Sequence, residues 1–284
     1  MSLKEAIKAA EARGVAIGHF NFAESTVAEA GAEAALELGV PVILGTSEGE
    51  REFIGVEQAA ALVKSLGVFI NADHTKSLNR IKEVVAVGYD AVLFDGSELP
   101  LEENIKSTRE VVEWVKAARP EVLVEGEIGY IGSSSKVHEA IPEGIQLTSV
   151  EDAVRFVKET GVDLLAPAVG NVHGIIMRTN ADGTRIYAEP ALNIERIRAI
   201  KQAVKIPLVL HGASGNSDED IRAAIKAGIS IVHINTEIRV AWQKALHEAF
   251  HQSPGEIAPY KIMAAAKEAA KKVIVDKLKL FIVL

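Results

Sequence analysis

Hydrophobic positions along the chain fall into a recurring phrase: an amphipathic stretch, a glycine, then a short run of Val, Ile, Leu and Ala. The phrase appears at Gly14, Gly39, Gly67, Gly88, Gly161 and Gly228, as in GVAIGHFNF, GVPVILGTS and GISIVHINT. Glycine just past a helix end accepts the left-handed conformation that closes the last turn, so each phrase reads as a helix stop followed by a strand. Two further runs, EVLVEGEIG after Pro120 and IPLVLHGAS around Pro207, begin beside proline instead. The runs are near-continuous, as expected of parallel strands covered on both faces.

The pattern predicts strands near residues 15–20, 41–45, 67–72, 90–95, 121–127, 162–168, 207–211 and 230–235. Helical patterns lie at 24–38, 56–65, 77–87, 101–118, 149–159, 190–204, 217–226 and 237–251. Eight successive βα units in about 240 residues fit a closed (β/α)8 TIM barrel better than an open sheet. Residues 3–12 then form an extra N-terminal helix at the barrel floor, and 257–276 an extra C-terminal helix. No linker or composition shift interrupts the pattern, so residues 1–284 are expected to form a single domain. An open doubly wound sheet would normally carry a phosphate loop after its first strand. The chain has no GxGxxG, and none of its 22 glycines precedes a lysine.

Composition narrows the function. The 284 residues include no cysteine, which excludes disulfides, thiolate zinc sites and cysteine nucleophiles. With 31 basic against 39 acidic residues and a net charge of −8, no nucleic-acid or membrane partner is expected. The charged segment MSLKEAIKAAEARG does not read as a signal peptide, and LFIVL is too short to span a bilayer, so a cytoplasmic location is expected.

In such a barrel, chemistry collects where the strands end. Those ends bring Asn21, Ser47, Asp73 and His74, Asp95, Glu125 and Glu127, His173, His211, and Asn235 and Thr236 to one rim. His74, His173 and His211 end three strands, and three neutral imidazoles with one open position are a known arrangement for catalytic zinc. Asp73, beside His74, suits either acid/base work on a hydroxyl near the metal or the orienting of a ligand. Asp95, Glu125 and Glu127 form an acidic group able to hold a second cation or an alternative metal position. The small residues Gly212, Ala213, Ser214 and Gly215, with a helix beginning after Thr236, form an anion-binding turn. His19, His138, His247 and His251 read as structural or surface residues, with His138 in a loop.

The combination of DH at 73–74, EGEIG at 125–129, GNVHG at 170–174 and HGASG at 211–215 resembles the class II, metal-dependent fructose-bisphosphate aldolases and their tagatose-bisphosphate relatives. The resemblance runs from the FNF segment to INTE, nearly the whole chain. It implies a TIM barrel that cleaves a ketose 1,6-bisphosphate, fructose 1,6-bisphosphate first, to dihydroxyacetone phosphate and glyceraldehyde 3-phosphate in glycolysis and gluconeogenesis. The alternatives are a tagatose-type or other phosphorylated ketose, or a non-catalytic binder of metal and sugar phosphate. Zn2+ or another divalent metal would be held by His74, His173 and His211, with Asp73 as the proton-transfer residue. Asp95 and Glu127 match a second or alternative metal position. Gly174, Gly212, Ser214 and Thr236 match binders of the ketose phosphate, and Ser47 a residue near the other phosphate. A monovalent cation, Na+ or K+, would lie near the backbone of 172–174 and 212, and the family suggests a homodimer or homotetramer. A loop at about 129–147 would supply a glutamate to protonate C3, with Glu139 and Glu143 as candidates. Two positions depart from the family: His233 replaces an asparagine that normally contacts substrate, and Asn235 is neither of the residues usual there. No predicted strand contains the lysine of a Schiff-base aldolase, and no His-x-His of a barrel hydrolase occurs.

Overall fold

The glycines act as the pattern predicts. Gly39, Gly67 and Gly161 close their helices in the left-handed conformation, while Ser2, Ser77, Ser149 and Ser217 open theirs by accepting backbone N–H bonds. The structure is a computed structural model and describes residues 1–132, 136–139, 145–179, 185–188 and 190–282.

The strands are β1 (Ile17–Asn21), β2 (Val42–Thr46), β3 (Phe69–Thr75), β4 (Ala91–Phe94), β5 (Leu123–Ile128), β6 (Val137–His138), β7 (Leu164–Pro167), β8 (Ile175–Thr179), β9 (Arg185–Ala188), β10 (Leu208–Leu210) and β11 (Ile229–Ile234). The helices are α1 (Leu3–Ala12), α2 (Ser25–Leu38), α3 (Glu48–Ile54), α4 (Val56–Leu66), α5 (Leu78–Ala86), α6 (Leu101–Ala118), α7 (Val150–Thr160), α8 (Ile194–Val204), α9 (Asp218–Ala227), α10 (Thr236–Gln252) and α11 (Pro259–Ile282).

Eight parallel strands close into a barrel in the order β1, β2, β3, β4, β5, β7, β10, β11, so the (β/α)8 expectation is met. The outer face of the barrel packs on the helices through residues such as Phe20, Val92, Leu165 and Val232. The lower interior is a separate apolar cluster of Ile17, Ile43, Ala91, Leu123, Leu164, Ala166, Val209 and Ile231. Leu3, Ala6, Ile7 and Ala10 of α1 pack into this cluster, so the N-terminal helix plugs the floor. At the other end of the chain, α11 runs six residues past its predicted limit, to Ile282. It lies against α2 and α10 with Leu278 and Phe281 buried.

One helix and three strands escape the hydrophobic pattern. The seven-residue α3 is mostly charged, EGEREFI, and buries only Glu50 and Arg51. A small sheet in the order β6, β8, β9 sits outside the barrel, and it places His138 in a strand rather than the expected loop.

Candidate active site

Period-two alternation carries the floor upward into the site. Two residues above Ile17, Leu123, Val209 and Ile231 on their strands stand His19, Glu125, His211 and His233, all buried. Asn71 and Asp73 continue the same face of β3, and Glu127 that of β5. The upper interior is therefore made of imidazoles, amides and carboxylates where the lower one is made of branched aliphatics.

The three sequence-predicted histidines meet. One ring nitrogen from each of His74, His173 and His211 lies within 4.8 Å of the other two, and the rings contact one another edge to face. Carboxylates set their tautomers. His211 Nε2 is 2.7 Å from Glu125 Oε1, and His74 Nδ1 is 2.9 Å from Asp95 Oδ2. An ionised carboxylate only accepts, so in the neutral form of each ring these nitrogens carry the proton and the opposite ring nitrogen offers the lone pair. His211 Nδ1 is buried with no hydrogen-bond partner among the described residues. A divalent ion fits this donor set: three nitrogens, two oriented from behind by carboxylates and one left over in a buried site.

Asp95 and Glu127 lie on the far side of His74, with Glu127 Oε2 at 3.4 Å from its Nδ1, and the three offer ligand atoms within 4.8 Å of one another. The expected acidic group of three is thus divided, because Glu125 turns to His211 instead. Burial and the neighbouring Asp95 push the Glu127 carboxyl up to about 8. Burial works against protonation of His74, but Asp73, Asp95 and Glu127 outweigh it and hold that ring well above the usual histidine range. His173, buried beside the other two rings, is pushed well below it.

Asp73 and His74 reach the mouth together for a reason other than the expected strand end. The strand continues to Thr75, but its pairing with β4 slips between Ala72 and Thr75, and His74 adopts φ +39°. This bulge turns His74 to the side that Asp73 already faces. Arg51 secures it: the buried guanidinium donates to the carbonyls of Thr46 and Asp73 and, at 2.8 Å, to Thr75 Oγ1. Asp73 Oδ2 accepts from the Asn21 amide at 2.9 Å, while Oδ1 accepts no hydrogen bond among the described residues and lies 3.6 Å from His233 Nδ1 and 3.9 Å from His74 Nε2. Burial raises the Asp73 carboxyl, but His74, His19, His211 and the Asn21 bond lower it by more, so the group stays ionised.

One cavity is bordered by Asn21, Asp73, the three histidines, His233, Gly174, Gly212, Ser214, Asn235 and Thr236, which unites most of the predicted residues. Gly212, at φ +59°, is where the His173 loop crosses: a Cβ there would stand 2.5 Å from the Val172 carbonyl. Ala213 is buried beneath the same turn. The N–H of Asn235 donates to Ser214 Oγ at 3.3 Å, and that of Gly215 to Glu237 at 3.1 Å. Ser47 lies at the end of β2, where its N–H and hydroxyl both donate to Glu50 in a capping box that opens α3. Glu139 is exposed, and Glu143 lies outside the described residues. His247 and His251 are exposed on α10, as expected.

Several residues were not singled out from sequence. Glu50 binds Asn21, Ser47 and, at 2.5 Å, Arg239. Asn171 donates to the His211 carbonyl and accepts from the N–H of Val169, tying two strand ends together. His19 is not the bland residue it resembles. Fully buried, it stacks on His233, and burial lowers its pKa to about 4. Its spacing of two from Asn21 was the available signal.

The model of the family described as fructose-bisphosphate aldolase class-II matches residues 1–283. A fructose-bisphosphate aldolase of Geobacillus stearothermophilus is 33% identical over 99% of this chain and 96% of its own length. A 6-phospho-5-dehydro-2-deoxy-D-gluconate aldolase of Bacillus licheniformis is 34% identical over 99% and 94%. Among solved structures, the YdjI aldolase of Escherichia coli K12 superposes with a TM-score of 0.81 at 29% identity, covering 99% of this chain and 96% of that one.

Proposed function

The chain belongs to the class II fructose-bisphosphate aldolase family, aldehyde-lyases that generally depend on a metal, and from that premise we propose that it cleaves fructose 1,6-bisphosphate reversibly to dihydroxyacetone phosphate and glyceraldehyde 3-phosphate. The observation that carries this reading is the meeting of His74, His173 and His211 beside the Asp73 oxygen that accepts no hydrogen bond among the described residues. Those three histidines hold Zn2+ in this reading, with Asp95 and Glu127 as oxygen ligands of an alternative position. When bound, the ion supplies Lewis acidity at the ketose carbonyl.

The chain's own groups do the rest. Asp73 Oδ1 takes the C4 hydroxyl proton as the C3–C4 bond breaks. The C4 oxygen becomes the aldehyde carbonyl, and the bonding electrons stay with the three-carbon fragment. Asn21 keeps the carboxylate aimed by occupying Oδ2. A second acid then protonates C3, for which Glu139 and Glu143 are the candidates. Gly174, Gly212, Ala213, Ser214, Asn235 and Thr236 receive the ketose phosphate beside the N-terminus of α10. Ser47 serves the other phosphate, and Na+ or K+ sits against the backbone of 172–174 and 212.

The same proposal places the enzyme in glycolysis and gluconeogenesis in the cytoplasm, as a homodimer or homotetramer of one-domain chains. No helix among the described residues is long and apolar enough to cross a membrane. Tagatose 1,6-bisphosphate is the second substrate reading, prompted by His233 and Asn235 at the cavity wall.

A coupled assay on both bisphosphates, before chelation, after it and with zinc restored, tests the proposal. Cleavage that vanishes with the chelator and returns with zinc is the expected result, with no adduct trapped by borohydride. A zinc-restored protein that cleaves neither sugar overturns the proposal and leaves a non-catalytic binder.

A further inference from the structure

A row of three imidazoles crosses the barrel at the cavity, His211 and His233 in its wall and His19 behind them. His19 of β1 and His233 of β11 are register partners, and their rings stack at 3.5 Å with 2° between the planes. The His233 ring also lies against His211, at 4.0 Å between centroids. Both neighbours are anchored: His211 by Glu125, and His19 by the Asn71 amide at 3.1 Å. Gly45 of β2 makes the arrangement possible, because a Cβ there would collide with the His19 ring. His233 is thus a ring without room to turn. Its Nδ1 stands 3.6 Å from Asp73 Oδ1, the carboxylate oxygen that accepts no hydrogen bond among the described residues, and its own Nε2 is buried without one.

We propose that this stack determines substrate specificity: His19 positions His233, and the clamped edge of His233 beside Asp73 Oδ1 selects the configuration at the carbon whose hydroxyl Asp73 engages. The inference rests on the aldolase reading above and extends it to C4 of the ketose. An asparagine or alanine at position 233 would leave space or swing to suit either configuration. The clamped Nδ1 edge, 3.6 Å from Asp73 Oδ1, meets a hydroxyl held there in one direction and crowds it in the other. Sites with a buried polar group to satisfy discriminate strongly against a substrate that leaves it unpaired. Fructose and tagatose 1,6-bisphosphate differ in configuration at C4 alone, so their ratio reads the device directly.

The test compares kcat/KM for these two sugars in the zinc-loaded wild type, His19→Phe, His19→Leu and His233→Asn. The wild type should prefer one sugar clearly. His19→Phe keeps a flat ring under His233 and should hold the ratio within about twofold. His19→Leu and His233→Asn should shrink it by about tenfold or more at unchanged zinc content. Should His19→Leu not fold, His19→Asn replaces it. A merely structural His19 would lower both rates in step, so an unchanged ratio in the variants, or a wild-type ratio near one, overturns the proposal. Inactivity of the wild type on both sugars counts against the aldolase reading. The ratio of dissociation constants for the intact sugars, measured by calorimetry on the same proteins, then decides the stack separately. The same shrinkage supports it, and an unchanged ratio or no binding overturns it.

Discussion

The floor and the mouth of the barrel are built on the same strand faces, two residues apart. On β1 the series runs Ile17, His19, Asn21; on β5, Leu123, Glu125, Glu127; on β11, Ile231, His233. The first member of each joins the aliphatic cluster that α1 plugs, and the later ones line the polar interior above it. Packing alone completes the floor. The mouth holds buried atoms of Asp73, Glu127, His211 and His233 that no described residue satisfies. Unsatisfied polar burial costs stability, so stability is concentrated at one end and unspent binding capacity at the other.

That division can be broken from either side. The largest effect belongs to Asp73→Asn, which should lower kcat by about 10²–10⁴ with zinc content and melting temperature retained. Steady-state rates and metal analysis check this, and a retained rate would move Asp73 to an orienting role. At the floor, Ile231→Ala should do the reverse and cost ~2–5 kcal/mol in denaturant unfolding while kcat stays near wild type. Between the two ends, Glu125→Gln loosens the His211 ring from behind and should weaken zinc affinity about 10–100-fold in a competition titration. The smallest change is expected from Ser47→Ala, about 1 kcal/mol of stability through the lost hydroxyl bond to Glu50. A rise in KM for the bisphosphate beyond that change would support a part for Ser47 in phosphate binding; a pure stability loss would confine it to holding Glu50.

Much of this was legible in the chain because it is local. Glycine stops, serine caps and apolar runs announced eight βα units, and the polar strand ends announced His74, His211 and Asp73; His173 was announced with them but stands in the loop six residues beyond Pro167, the last residue of β7. The rest depends on partners distant in sequence. Glu50 meets Arg239, 189 positions away, and Asn71 meets His19 across 52. The helix α3 escaped because seven mostly charged residues carry no apolar period, and it is held mainly by what Glu50 and Arg51 bind, with Ile54 its one apolar contact to the core. The acidic group at 95, 125 and 127 looked single in sequence and is divided in space, because Glu125 faces β10 while Glu127 and Asp95 face His74.

By itself, then, the sequence determined the eight barrel strands, the helices that follow them and the kinds of side chain delivered near the strand ends. Helix termination, strand formation and the period-two face are settled within a few residues of backbone. Tertiary structure decided which of those side chains meet. Closure of the barrel set His19 on His233 across the β1/β11 seam, and the bulge secured by Arg51 turned His74 to the side of Asp73. A constellation of ligands is a property of distances between strands, and those distances exist only once the sheet has closed.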